Sequence, residues 1–230
     1  MEKPHIYKYD EVDINNIEYG DPVKKGQSYK CSLSYDGKPL YIQTPVLKCV
    51  SSKDELLNKN IFKLQVSQNQ LSFYIWFQNL DNMNKNKAHL NSNKWFSKNI
   101  PMDIIENYYS PFLNKNKNKN KYILKFKLPF ENDIMNCKFY NEEGSEIELD
   151  NIEKDMNIAL MINLESLKFL KQSFSLCLSV SQVKAYKLSY DKYRYLTKEC
   201  VIEDDLDIFL FNNSSLLIIL SMETLLKKDN

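Results

Sequence analysis

Glycine is scarce, with 4 in 230 residues, and no GxGxxG or GxxxxGK[ST] string occurs. A loop that cradles phosphates needs clustered glycines, so nucleotide-driven chemistry is not expected. Histidine is scarcer. His5 and His89 stand far apart and cannot supply a paired acid and base or a histidine metal cage. Cys31, Cys49, Cys137, Cys177 and Cys200 form no CxxC pair, which argues against zinc knuckles and thioredoxin chemistry. Their odd, scattered number reads as reduced thiols of an intracellular compartment. Arg194 is the sole arginine, so bidentate reading of guanine edges is disfavoured. The start, MEKPHIYKYD, lacks the apolar core of a secretory signal. Residues 216–222 are too short a run to span hydrocarbon, and polar residues 212–215 interrupt any longer one, so no membrane anchor is expected. No nucleophile elbow or base-activated nucleophile is visible. The carboxylates of NEEGSEIELD beside Gly144 read as a solvated hairpin tip. The expectation is a non-enzyme without cofactor or metal.

Large side chains are plentiful. Hydrophobic residues make up 43% and aromatics 13%, including 15 Tyr and 12 Phe, a load that disordered chains do not carry. The length fits one large domain or two small ones, with one as the default. The net charge of +1 hides an asymmetry. Residues 1–198 hold 29 Lys and Arg against 23 Asp and Glu, a net of +6, whereas residues 199–230 hold 2 against 7, a net of −5. Residues 84–127 contain ten lysines against Asp103 and Glu106. Such a stretch is the electrostatic footprint of a phosphate-binding surface, or else a solvated lysine-rich face. An AT-rich genome enriches Lys and Asn alike, which weakens the count as chemical evidence.

The pattern is mainly β. Residues 1–27 read as an N-terminal arm, residues 28–198 as one β-barrel domain, and residues 199–230 as an acidic segment with an apolar extension. Tyr29, Cys31, Leu33 and Tyr35 alternate, Asp36-Gly37 marks a tight turn, and residues 40–49 return. Residues 61–66 and 71–77 read as two more strands, residues 81–94 as a polar helix or loop, and residues 102–109 after Pro101 as a short helix. NKNKNKNK at 114–121 reads as a low-complexity loop. Leu124, Phe126 and Leu128 then alternate with Lys125 and Lys127, one face apolar and one basic. Residues 137–140 and 147–149 form a hairpin. Residues 159–164, 167–170, 174–180 and 183–188 complete the strands. An OB-like barrel with one or two short helices and a long basic loop is the expected architecture.

Binding a flexible nucleic acid needs a basic groove and exposed aromatic faces, on which bases stack. The sequence interleaves the two. Tyr74 and Trp76 lie opposite Phe73, Ile75 and Phe77 on their expected strand. Lys94, Trp95 and Lys98 place a large ring between two lysines, and Tyr108 and Tyr109 follow. The plain alternative is that these aromatics pack the core.

The blocks GKPLYIQTPVLKC, WFSKNI with YYSPF, YILKFKLPF and CKFYNEEGSEI, in that order, resemble the single-stranded-DNA-binding proteins of nucleocytoplasmic large DNA viruses. That family looks related to the T7-phage type, with an OB-fold barrel and an acidic C-terminal tail ending in an aromatic. The likeness spans about residues 26–209. It implies a DNA track along Lys94, Trp95, Lys98, Lys125 and Lys127. It also implies a regulatory tail at Glu203, Asp204, Asp205 and Asp207 with Phe209, through which replication proteins are recruited. The chain departs from the pattern by continuing past Phe209. Sequence-tolerant binding of single-stranded DNA at a viral replication site, in host cytoplasm or nucleus, is the implied function. The partners are single-stranded DNA and, through the tail, replication proteins; a homo-oligomer is left open. The rival is a viral structural or virion-associated β-sandwich protein whose aromatics lie at protein interfaces.

Overall fold

The structure is a computed structural model that describes residues 4–113, 122–131 and 134–186. The chain divides into two units, Met1–Leu188 and Ser189–Asn230, and the second lies outside the described residues. In chain order the strands are β1 (Ile6–Lys8), β2 (Glu18–Tyr19), β3 (Val23–Lys25), β4 (Ser28–Ser34), β5 (Leu40–Gln43), β6 (Leu47–Cys49), β7 (Ile61–Val66), β8 (Tyr109–Ser110), β9 (Tyr122–Lys127), β10 (Phe130–Glu131), β11 (Ile134–Met135), β12 (Lys138–Tyr140), β13 (Glu146–Ile147), β14 (Asn157–Phe169) and β15 (Phe174–Tyr186). The helices are α1 (Lys53–Leu57), α2 (Leu71–Leu90), α3 (Ser92–Phe96) and α4 (Met102–Tyr108).

The fold is mainly β, as the alternation predicts. All the described strands except the β10–β11 pair belong to one sheet organised on β14. One edge of β14 pairs along its length with β15. Its other edge is shared in turn by β6, β5 and β4, and the sheet continues from β6 through β7 to β9. The sheet then curls until β9 comes back within 8 Å (Cα) of β15, giving an open, OB-like wrap around Phe62, Leu64, Phe126 and Leu40, all fully buried. The N-terminal residues expected as an arm add β1 to β5 and add β2 and β3 to β4. Val12 and Ile17 are buried in the core. The four strands read from residues 159–188 are two long ones, bent by register breaks at Met161/Ile162 and Leu164/Ser166, which tighten the curl.

The largest departure is α2. Residues 71–77, expected as a strand, begin a 20-residue helix. Phe73, Trp76, Phe77 and Leu80 are buried, and Asn84 and Ala88 continue the same face, the i, i+3, i+4, i+7 spacing of a helix against a core. Phe77 packs against Phe112 and Phe126 at 4.6 and 6.4 Å between centroids. Alternation over seven almost wholly apolar residues does not distinguish strand from helix; the buried positions beyond residue 77 do.

Candidate functional site

Where the core-facing side of the sheet runs past its helices, it leaves an open groove of about 610 Å³. Phe169 at the end of β14 and Phe174 at the start of β15 stack at 5.2 Å to make its floor. Tyr29 lies opposite Phe169 in register. Its place in the β4 alternation predicts burial, yet it is 49% exposed because the core ends beneath it. Trp95 and Phe96 form one wall, with ring centroids 5.8 and 5.3 Å from Phe169. Ile104 and Tyr108 are four residues apart on α4 and form the other wall; the Tyr108 ring is 46% exposed.

The walls are fixed by hydrogen bonds. Ser92, fully buried, accepts the Ile100 amide at 3.2 Å through Oγ, and the His89 Nδ1–H donates to the Ile100 carbonyl at 2.8 Å. Ser97 ends α3 in the left-handed region at φ 55°, turning the chain so that Trp95 and Phe96 stay over the floor. On the other side a buried polar network ties α2 to the residues after α4. Tyr19 donates to Asn84 Oδ1 at 2.7 Å, Asn84 Nδ2 donates to the Tyr109 hydroxyl at 3.0 Å, and that hydroxyl donates to Asp81 Oδ1 at 2.5 Å. Asp81 also accepts the amides of Phe112 and Leu113. Burial holds the Asp81 carboxyl above its usual range, against the lowering pull of these donors, and it pushes the Tyr109 and Tyr19 phenols up. Tyr109 lies against Phe174 at 5.0 Å, so one side chain braces the groove floor and the end of the helix that carries Tyr108.

Cations rim the groove. Lys171 lines it, and Lys24 on β3 sits across from Tyr29. Lys94 is paired with Asp21 at 2.5 Å, while Lys98 is exposed and has no acidic partner among the described residues. Three lysines of the basic stretch are engaged locally: Lys85 with Glu106 at 3.6 Å, Lys87 over the Tyr19 ring, and Lys94 as above. The basic stretch therefore carries less free charge than the sequence total suggests.

Of the residues expected to contact nucleic acid, Trp95 and Tyr108 line the groove, while Lys94 and Lys98 flank Trp95 in the chain without lining it. Two are corrected. Trp76 is 8% exposed and donates Nε1–H to the Val12 carbonyl, because it lies on the core face of a helix and not on the outer face of a strand. Tyr109 is buried, its hydroxyl consumed by Asp81 and Asn84. Tyr74 is half-buried against Tyr122 at 4.7 Å and does not line the groove. Lys125 and Lys127 point outward from β9, as the alternation predicts, and are absent from the groove lining. Glu203, Asp204, Asp205, Asp207 and Phe209 lie outside the described residues. The sequence reading missed Tyr29, Ile104, Phe169, Phe174, Lys24 and Lys171; only the non-local pairing of β4, β14 and β15 brings them together.

Among the described residues no group of three or more His, Cys, Asp or Glu is placed to hold a metal ion, no helix is long and apolar enough to cross a membrane, and the four cysteines are free thiols. Burial pushes the Cys31 and Cys137 thiols up to about 12, far from a reactive thiolate.

The groove thus defines a mainly β protein with an aromatic, lysine-rimmed cleft. The chain belongs to the family of unknown function DUF5871, which it matches over residues 55–196, a span holding Trp95, Tyr108, Phe169 and Phe174. No curated protein matches it. Similar solved structures include gp2.5, a single-stranded DNA binding protein encoded by bacteriophage T7, at 11% identity and a TM-score of 0.44, covering 72% of this chain and 98% of that one. The single-stranded DNA-binding protein from bacteriophage Enc34 is similar as a C-terminal truncation, at 12% identity, a TM-score of 0.42 and coverage of 74% and 96%. In complex with single-stranded DNA it is similar at 11%, 0.37, 73% and 95%.

Proposed function

We propose that this protein binds single-stranded DNA with little sequence preference, in viral-type replication, recombination or repair. The observation that carries the reading is the groove: exposed rings at Tyr29 and Tyr108 and the half-buried ring of Trp95 over an apolar floor, with Lys171 in its lining. Bases in a duplex cover one another's faces; only unpaired bases offer them to side chains, each stack adding roughly 1–3 kcal/mol. The cleft has few groups able to read base edges: besides the Tyr29 and Tyr108 hydroxyls and the Trp95 indole N–H, Gln27 and Ser173 are its uncharged polar side chains. Lysine holds phosphate as a point charge and does not select a base. Lys125 and Lys127 extend the track along β9 in this proposal. The acidic segment with Glu203, Asp204, Asp205, Asp207 and Phe209, of opposite charge to the body, competes for the same cations and, once displaced, offers Phe209 to replication proteins.

The test is Trp95→Ala in the full chain, with oligo-dT affinity measured at low salt beside a thermal melt. Affinity should fall about 5- to 150-fold with the fold retained. Unchanged affinity in a folded variant removes the groove from the binding surface, and absence of wild-type binding favours the rival structural role.

A further inference from the structure

The outer face of the central sheet carries a second surface, remote in sequence from Trp95. Paired residues share a face, so the register places Lys138, Gln182, Met161, Gln43 and Lys8 in one row across β12, β15, β14, β5 and β1. The adjoining row is Tyr140, Lys184 and Ala159, and Tyr186 lies two residues beyond Lys184 on the same face. The intervening residues, Phe139, Val183 and Leu160, are buried in the core. A cavity of about 410 Å³ lies on this face and is lined by Tyr140, Lys184, Tyr186, Gln43, Gln182 and Met161 among others.

We infer that this face is a second contact surface for the same single-stranded nucleic acid, with Tyr140 and Tyr186 offering rings to bases and Lys184 and Lys8 holding phosphates. The inference rests on the proposed single-strand binding. Its chemistry favours that ligand over a protein partner. Lys138 is neutralised by Glu146 at 2.8 Å, but Lys8 and Lys184 have no acidic partner among the described residues. The face therefore carries two lysines without an acidic partner, with amide side chains at its middle and half-buried rings at its edge, and its carboxylates Glu142 and Glu143 stand on the turn beyond Tyr140. The Lys184 Nζ stands 5.7 Å from the Tyr186 ring centroid, so a base stacked there brings its phosphate to a waiting cation. A ring beside a lysine on a solvated strand face is the arrangement that single-strand binding uses without sequence selection.

The test uses the full chain and oligo-dT of about 16 nucleotides, the long end of what one such fold covers, with Tyr140→Ala, Lys184→Ala and Trp95→Ala compared. Tyr140→Ala should weaken binding about 5- to 150-fold. Lys184→Ala, which removes the charge together with its contact to the Tyr186 ring, should lower the log–log salt slope by about 0.7. If Trp95→Ala weakens binding while both outer-face variants bind as wild type does, this surface is overturned and the groove stands. If the outer-face variants lose affinity and Trp95→Ala does not, the groove reading fails and this surface remains. A wild type that binds no oligonucleotide overturns both, and if Tyr140→Ala does not fold, the Lys184→Ala slope decides.

Discussion

Replacing Tyr109 by Phe isolates one oxygen atom. The ring keeps its place against Phe174, so no cavity is created. The hydroxyl, however, is both acceptor for Asn84 Nδ2 and donor to Asp81 Oδ1. Its loss leaves Asn84, which is fully buried, with an orphaned amide hydrogen, and leaves Asp81 with only two backbone donors. An unsatisfied buried polar group costs about 1–3 kcal/mol, more when the partner is charged. The variant should therefore lose about 2–4 kcal/mol of stability. Urea unfolding followed by circular dichroism measures this as a midpoint lowered by about 1 M or more at unchanged slope. The substitution should also loosen the end of α4 and reduce oligo-dT affinity through Tyr108. A stability change below about 0.5 kcal/mol, the range of surface substitutions, would refute the claim that this network braces the groove.

Asp81→Asn tests the same network through pH. Burial raises the folded carboxyl above its unfolded value, so the folded state binds the proton more tightly, and its contribution to stability falls as pH rises above about 4. Wild-type stability minus that of Asp81→Asn should decrease with rising pH; a difference that grows with pH contradicts the raised direction. Lys125→Ala with Lys127→Ala should lower the salt slope of oligo-dT binding by about 0.7 for each phosphate that the protein no longer neutralises, and an unchanged slope takes the β9 face out of the track. Truncation after Cys200 should tighten binding most at low salt, where Coulomb competition is least screened; unchanged or weaker affinity in a folded truncation eliminates tail gating.

Local signals were legible in the sequence where neighbouring residues decide structure. Asp36-Gly37 takes positive φ at both positions, 50° and 69°, as the tight hairpin requires. On β9 the alternation places Leu124 and Phe126 inside and Lys125 and Lys127 outside. Residues 71–77 misled because six of the seven are apolar and satisfy both periods. What settles the helix is Asp81 and Asn84, polar residues that a sequence pattern assigns to solvent but that are buried together by Tyr109 and Tyr19. The groove was half legible. Trp95 stands out because lysines flank it, whereas Phe169 and Phe174 look like ordinary strand core, are buried as such, and become a floor only because α3 and α4 stand on either side of them.

The most direct measurement uses the protein's own two tryptophans. Trp76 is sealed in the core, with its indole N–H bonded to Val12, and Trp95 lines the groove. Titration with oligo-dT at low salt should quench the emission, and Trp95→Phe should abolish that quench while leaving the Trp76 signal in place. Raising the salt should weaken binding with a log–log slope of about −0.7 per phosphate neutralised. Emission that stays constant through a titration in which oligo-dT binds would place the bases elsewhere and contradict the groove as the single-strand site.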